Sequence, residues 1–247
     1  MCNEAEMGGT SSPILTHVTF HGNSAAMGGG ICSINTNPEP SSAMQPLLRN
    51  VIFWGNTSGT NSPQIFNWVA NPTFTSSIVQ GSHGSGPGWD AALGIDGGGN
   101  LDADPKLGPL GSYGGPTQTF SLPADSPAVD AANGAACPDF DQRGVLRPQG
   151  AGCDIGAFEL EQYQVSGSTG TGGVTLSYTN VTPRQTASGA NGSYAFFVPT
   201  GWSGTVTVAK PGVTFVPPSR AYSLVHANQA AQDYAPTFHV SLPLLKR

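Results

Sequence analysis

Two segments of the chain repeat without a gap at a distance of 33 residues: Val18-Thr-Phe-His-Gly-Asn-Ser24 and Val51-Ile-Phe-Trp-Gly-Asn-Thr57. A fainter third copy is Ser77-Ile-Val-Gln-Gly-Ser82. Each is a short β-branched and aromatic strand ending in Gly-Asn or Gly-Ser, where a positive φ or a side-chain-capped turn bends the chain. A strand that bends at the same place in every copy makes a coil, and stacked coils pair each strand in parallel with its equivalent. Val18, Phe20, Val51 and Phe53 then point inward, while Asn23 and Asn56 meet at one corner as a ladder of side-chain amides. Gly28-Gly29-Gly30-Ile31 fits a second strand and corner, its glycines allowing close packing of coils.

Composition supports ordered β-structure of this kind. Of 247 residues, 34 are Gly and 21 are Pro, yet 38% are apolar and the apolar runs alternate. Only 10% are charged, which argues against long helices laced with ion pairs. The net charge is −6 and the nine Lys and Arg are scattered, adjacent only at Lys246-Arg247, so no basic stripe exists for nucleic acid. No run of about 18 apolar residues suggests a membrane span, and the first residues are no export signal, so an exported product would carry its signal upstream. A coil stack that begins in mid-repeat leaves an open sheet edge. We therefore expect an upstream extension in the natural product, or self-association with another chain through that end.

Four cysteines show no CxxC spacing, which leaves zinc-ribbon and thioredoxin readings without support. Cys137 and Cys153 bracket one polar loop and are expected to form a disulfide. Cys2 and Cys32 are either a second bridge or two unrelated thiols. Beyond Glu161 the texture changes to alternating strands, VTLSYT, SYAFFVP, GTVTVAK, VTFVP and RAYSLV, separated by Gly, Pro or Asn turns. These predict a small antiparallel β-sandwich.

The segments LTHVTFHGNSAAMGGGI and LRNVIFWGNTS resemble the right-handed parallel β-helix repeats of bacterial surface proteins. Asn100-Leu-Asp-Ala-Asp-Pro105, Ser126-Pro-Ala-Val-Asp130, Asp141-Gln-Arg-Gly-Val-Leu-Arg-Pro148 and Asp154-Ile-Gly-Ala-Phe-Glu159 resemble the region, often called a choice-of-anchor tail, that closes such helices. Gly189-Ala-Asn-Gly-Ser-Tyr-Ala-Phe-Phe-Val-Pro199, with Gly201-Trp202 and Pro218-Ser-Arg-Ala-Tyr222, resembles carboxypeptidase-regulatory-like, immunoglobulin-like modules. The resemblance implies an all-β chain: parallel β-helix coils and closing region over 1–160, a β-sandwich over 163–237 and a tail over 238–247. It also implies an extracellular or cell-surface location and a spacer or binding role for the second module.

The cheap nucleophile, zinc and phosphate signatures, Gly-x-Ser-x-Gly, His-Glu-x-x-His and Gly-x-x-x-x-Gly-Lys, are absent from the sequence. The dense ionisable cluster is Asp139, Asp141, Arg143, Arg147, Asp154 and Glu159, drawn together if the Cys137–Cys153 bridge forms. It admits three readings. Planar guanidinium groups can satisfy carboxylates in a network that caps the coil stack. Asp139 and Asp141 with backbone carbonyls can hold Ca²⁺. Asp139, Asp141 and Asp154, with Arg143, can act on a glycosidic bond if two carboxylates stand in an open groove. Asp96, Asp102 and Asp104 read as Asx-capped turns, with weak calcium binding as the alternative.

His17 and His21 lie opposite Val18 and Phe20 and are expected to face solvent. Any of Trp54, Trp68, Trp89 and Trp202 can stack on a sugar if exposed, and Trp54, in the outward phase of its strand, is the preferred contact. Trp54, His21 and Arg147 are the candidate substrate-binding residues. Two functions follow. One is a non-catalytic exported or cell-surface protein for adhesion or glycan binding, with polysaccharide or cell-surface glycan as partner. The other is a polysaccharide lyase or glycoside hydrolase using the coil groove and the Asp/Arg loop 139–159.

Overall fold

The computed structural model describes residues 1–6, 9–36 and 44–238, and the chain forms two compact units, Met1–Leu160 and Glu161–Arg247. All regular structure is β apart from short 3₁₀ turns among the described residues, and the chain combines parallel and antiparallel sheets. Of the tail set at 238–247, everything after Phe238 lies outside the described residues.

In the first unit the repeat becomes parallel pairing. One sheet joins Ile14–Thr16, Leu47–Arg49, Thr73–Thr75 and Ile95–Asp96, with Ile14 opposite Leu47, Leu47 opposite Thr73 and Thr73 opposite Ile95. Successive turns of chain thus shorten from 33 to 26 to 22 residues. A second sheet joins Thr19–His21, Ile52–Trp54 and Ile78–Val79. A third pairs Ser24–Ala25 with Thr57–Ser58, and a fourth joins Cys2–Ala5, Ile31–Asn35 and Ile65–Trp68. In the shortest turn the place of the fourth sheet is taken by a 3₁₀ helix, Ala91–Leu93, whose Ala92 and Leu93 carbonyls accept from Asn67 Nδ2 at 3.1 and 3.0 Å.

The corners explain the sequence motif. Between the first two sheets the chain passes through the left-handed region at His17, Asn50 and Ser76, with φ of 53°, 53° and 48°. After the second sheet it does so at Gly22, Gly55 and Gly81, with φ of 69°, 64° and 80°, a conformation that glycine adopts without the Cβ penalty. The asparagine that follows locks this corner. Asn23 Nδ2 donates to Asn56 Oδ1 at 3.0 Å, Asn56 Nδ2 to Gln64 Oε1 at 2.7 Å, and Gln64 Nε2 to Gln80 Oε1 at 3.1 Å. The amide ladder expected from two residues therefore runs through four.

Alternate residues of these strands fill one core. Leu48, Val51, Phe53, Phe74 and Val79 are fully buried, and Phe20 stacks on Phe53 at 4.6 Å between ring centroids. A Cβ on Gly30 would stand 2.7 Å from the Phe53 ring, which is the close approach that the Gly-Gly-Gly run permits. The opposite face of the second sheet is also covered. Ile52 and Ile78 are buried against Leu122, Ala128, Ile155 and Phe158, all from the segment after the coils.

The segment that follows these strands also covers three side chains expected to face outward. Trp54 does point away from the coil interior, but it is half-buried against this cluster rather than presented to solvent. His17, expected outside, is 7% exposed, because the chain at 133–157 closes over its corner. His21 is half-buried, its Nδ1 2.8 Å from the Trp54 carbonyl and its ring edge-on to Phe120.

The second unit is antiparallel throughout its sheets. Gln162–Ser168 pairs with Ser193–Pro199; Thr182–Ala187, Thr175–Asn180, Trp202–Ala209 and Ser219–Val225 form a four-stranded sheet in that order; Val213–Val216 pairs with Ala235–Phe238. One core gathers Val165, Leu176, Phe196, Val198, Val206, Phe215 and Tyr234 from all three sheets and the approach to the last strand. Trp202 is buried there and donates its ring N–H to the Thr179 carbonyl at 2.9 Å.

Candidate functional site

The Cys137–Cys153 disulfide is present, with Cα atoms 6.3 Å apart. It brackets the loop that carries the ionisable cluster. Asp141 opens a tight turn: its Oδ1 accepts from the Arg143 and Val145 amides at 2.7 and 3.0 Å, and its Oδ2 from Arg143 Nε at 2.9 Å and the Glu159 amide at 3.0 Å. Burial opposes its charge, but these donors outweigh it and hold the carboxyl below the usual range. Arg143 is fixed in turn. Its Nη2 donates to the Glu159 carbonyl at 2.6 Å, and its guanidinium carbon stands 3.7 Å over the centre of the Phe158 ring.

A second pair lies deeper. Arg147 Nη1 meets Glu159 Oε2 at 2.7 Å with both side chains wholly inaccessible, and the same guanidinium donates to the carbonyls of Asp154 and Gly156 at 2.9 and 2.8 Å. Glu159 also accepts from the Gln149 and Asp154 amides, both at 2.9 Å. Asp154 is fully buried and spends its two oxygens on the amides of Asp130 and Leu160. Burial, reinforced by the neighbouring Glu159 charge, pushes Asp154 up to about 7. Burial likewise raises Glu159, against the pull of its amide donors and Arg147.

Of the residues singled out for catalysis, the fold brings Asp141, Arg143 and Asp154 into one buried network and leaves Asp139 exposed. An acid that acts on a glycosidic bond needs an open oxygen, and Asp141 and Asp154 have theirs occupied by donors. The pair Asp139 and Asp141 does not fit Ca²⁺ either, since Asp141 faces four N–H groups where a cation would need free lone pairs. Among the described residues no group of three or more His, Cys, Asp and Glu is arranged to hold a metal. Arg147, a candidate for substrate contact, has a fully covered side chain.

The acidic patch at 96–104 is built from capped turns. Asp96 accepts from Ser85, from the Gly86 and Gly98 amides and from Asn100 Nδ2; although burial works against the charge, these donors hold it at about 2. Asp102 accepts from the amides of Gly81 and His83, and Asp104 from that of Lys106.

His17 borders a cleft of about 330 Å³ with Thr16, Thr19, Phe140, Gln142 and Arg147. Asn50 Oδ1 accepts the Asn133 amide at 2.8 Å, which orients Asn50 so that its Nδ2 donates to His17 Nε2 at 2.9 Å. The ring proton of the neutral imidazole is therefore on Nδ1. Burial first, and the Arg147 charge second, lower His17 to about 4. The unfolded chain, titrating near 6.5, binds more protons than the folded one between those values, so this residue's contribution to stability falls by up to about 3 kcal/mol as pH drops from 6.5 to 4. Asp154, whose folded value is raised, acts in the opposite sense over an overlapping window. The histidine is isolated by comparing wild type with His17→Gln in urea unfolding across that range: their stability difference is expected to shift against wild type as the pH falls.

Removing the disulfide tests how firmly the loop is held. Cys137→Ser with Cys153→Ser is expected to lower stability by about 3 kcal/mol, the loop-closure value for a bridge of this span, read as a lower denaturant midpoint.

The four tryptophans differ in exposure, and Trp54, the preferred contact from sequence, is half-buried. Trp89 packs on Phe74 and donates to the Gly94 carbonyl, and Trp202 is buried, whereas Trp68 is 58% exposed. In the fourth sheet Ile31 and Ile65 face the core, so the alternating residues face outward: Cys2, Cys32 and Phe66 in one row, Glu4, Ile34 and Trp68 in the next. The Ile65-Phe66-Asn67-Trp68 alternation was the available signal, but it carried no Gly-Asn corner to mark its phase.

No protein-family model matches the chain, and no curated protein and no solved structure matches it. The likeness to β-helix surface proteins therefore rests on the motifs themselves.

Proposed function

We propose that residues 1–160 are a right-handed parallel β-helix closed by the Asp/Arg loop, that an immunoglobulin-like β-sandwich follows it, and that the protein is an exported, cell-surface module that binds glycans without transforming them. The observation that carries this reading is the contrast between two surfaces. Asp141, Asp154 and Glu159, with Arg143 and Arg147, are consumed by one another and by backbone amides, and of the cluster's acids Asp139 alone stands exposed. Trp68, by contrast, is open to solvent on a strand face that also bears Phe66 and Ile34, and the apolar face of a sugar ring stacks on such aromatic surfaces. The disulfide suits an oxidising compartment.

Retention on immobilised polysaccharides tests the site. Trp68→Ala is expected to weaken retention by about tenfold, corresponding to loss of one stacked ring, while Trp54→Phe leaves it unchanged. Equal retention by wild type and Trp68→Ala would remove this surface from the account.

A further inference from the structure

Cys2–Ala5 is the outermost strand of the fourth sheet, and it pairs in parallel with Ile31–Asn35 so that Cys2 stands directly opposite Cys32. Neighbouring strands lie about 4.8 Å apart, inside the Cα range of about 4.4–6.8 Å that a disulfide spans. Both side chains face outward, since Asn3 and Ala5 are buried and Ile31 belongs to the core. Both thiols are free in this structure, Cys2 exposed and Cys32 covered.

We propose that Cys2 and Cys32 form a second, reversible disulfide that staples the outermost strand to its neighbour. Its oxidant is a small-molecule disulfide. The exposed Cys2, as thiolate, attacks one sulfur of oxidised glutathione and expels one glutathione thiolate; Cys32, as thiolate, then attacks the Cys2 sulfur and expels the second. The two protein thiols lose two protons and two electrons, and oxidised glutathione becomes two molecules of glutathione. Cys2 Sγ donates to Glu4 Oε1 at 3.1 Å; this bond first, then burial and the nearby Cys32, push the Cys2 thiol up to about 11, so closure is slow near neutral pH.

The whole chain is incubated with oxidised glutathione, and its thiols are then alkylated under denaturing conditions and mapped by peptide mass. The expected result is loss of both free thiols, a peptide joining Cys2 to Cys32, and an unfolding midpoint higher by roughly 5 °C or more than that of Cys2→Ser, a change at an exposed edge position. Two free thiols beside an intact Cys137–Cys153 bridge would overturn the proposal. So would a stable glutathione adduct on Cys2, or a covalent dimer through it.

Discussion

Replacing Arg147 with alanine is expected to cost the first unit about 3–5 kcal/mol, seen as a large fall in the urea midpoint. The loss exceeds the worth of one ion pair because Glu159 would stay buried with its charge uncompensated, and the carbonyls of Asp154 and Gly156 would lose their donors. The pair itself is a weak source of stability, since taking both charges out of water costs about what their attraction returns. Arg147→Met combined with Glu159→Met is therefore expected to recover much of what the single change loses. A single-variant loss under about 1 kcal/mol would mean that water reaches the pair and the closed network is wrong.

Phe53→Ala is expected to be as damaging, about 3–5 kcal/mol, for a different reason. The ring is fully buried, stacked on Phe20 and edge-on to Phe74 at 5.9 Å, so truncation leaves a void between successive turns of chain. Phe20 is only half-buried, and Phe20→Ala should cost clearly less. Equal losses would indicate that the turn carrying Phe20 is as enclosed as the one carrying Phe53.

The strands and corners were legible because they are local. Gly22, Gly55 and Gly81 mark a positive φ that other residues adopt at a cost, and the alternation around Phe196 and Val206 fixes which face is buried. Three strands of the second unit were missed. Gln162–Ser168 contains Gly167, whose absent Cβ makes room for the backbone of Gln232; Thr182–Ala187 contains Pro183, tolerable because it is an outer strand of its sheet; Ala235–Phe238 is short and contains Pro236.

The cluster at 139–159 was legible as a list of residues but not as an arrangement. Which carboxylates are open depends on amides at Glu159, Leu160 and Asp130 that no spacing rule places beside them. Trp54 and His17 were misjudged for the same reason. Period-two alternation tells which residues leave the strand's core face, but not that Ile155 and Phe158 return against Trp54 or that the chain at 133–157 closes over His17.

The central claim is that this protein holds glycans and leaves them intact. The direct measurement applies one panel of polysaccharides to the wild-type protein and follows both retention and the release of reducing ends or unsaturated products, with and without calcium. The account predicts retention of at least one glycan with no product above background. Product release that disappears in Asp139→Ala would contradict it and place chemistry at the exposed acid of the loop.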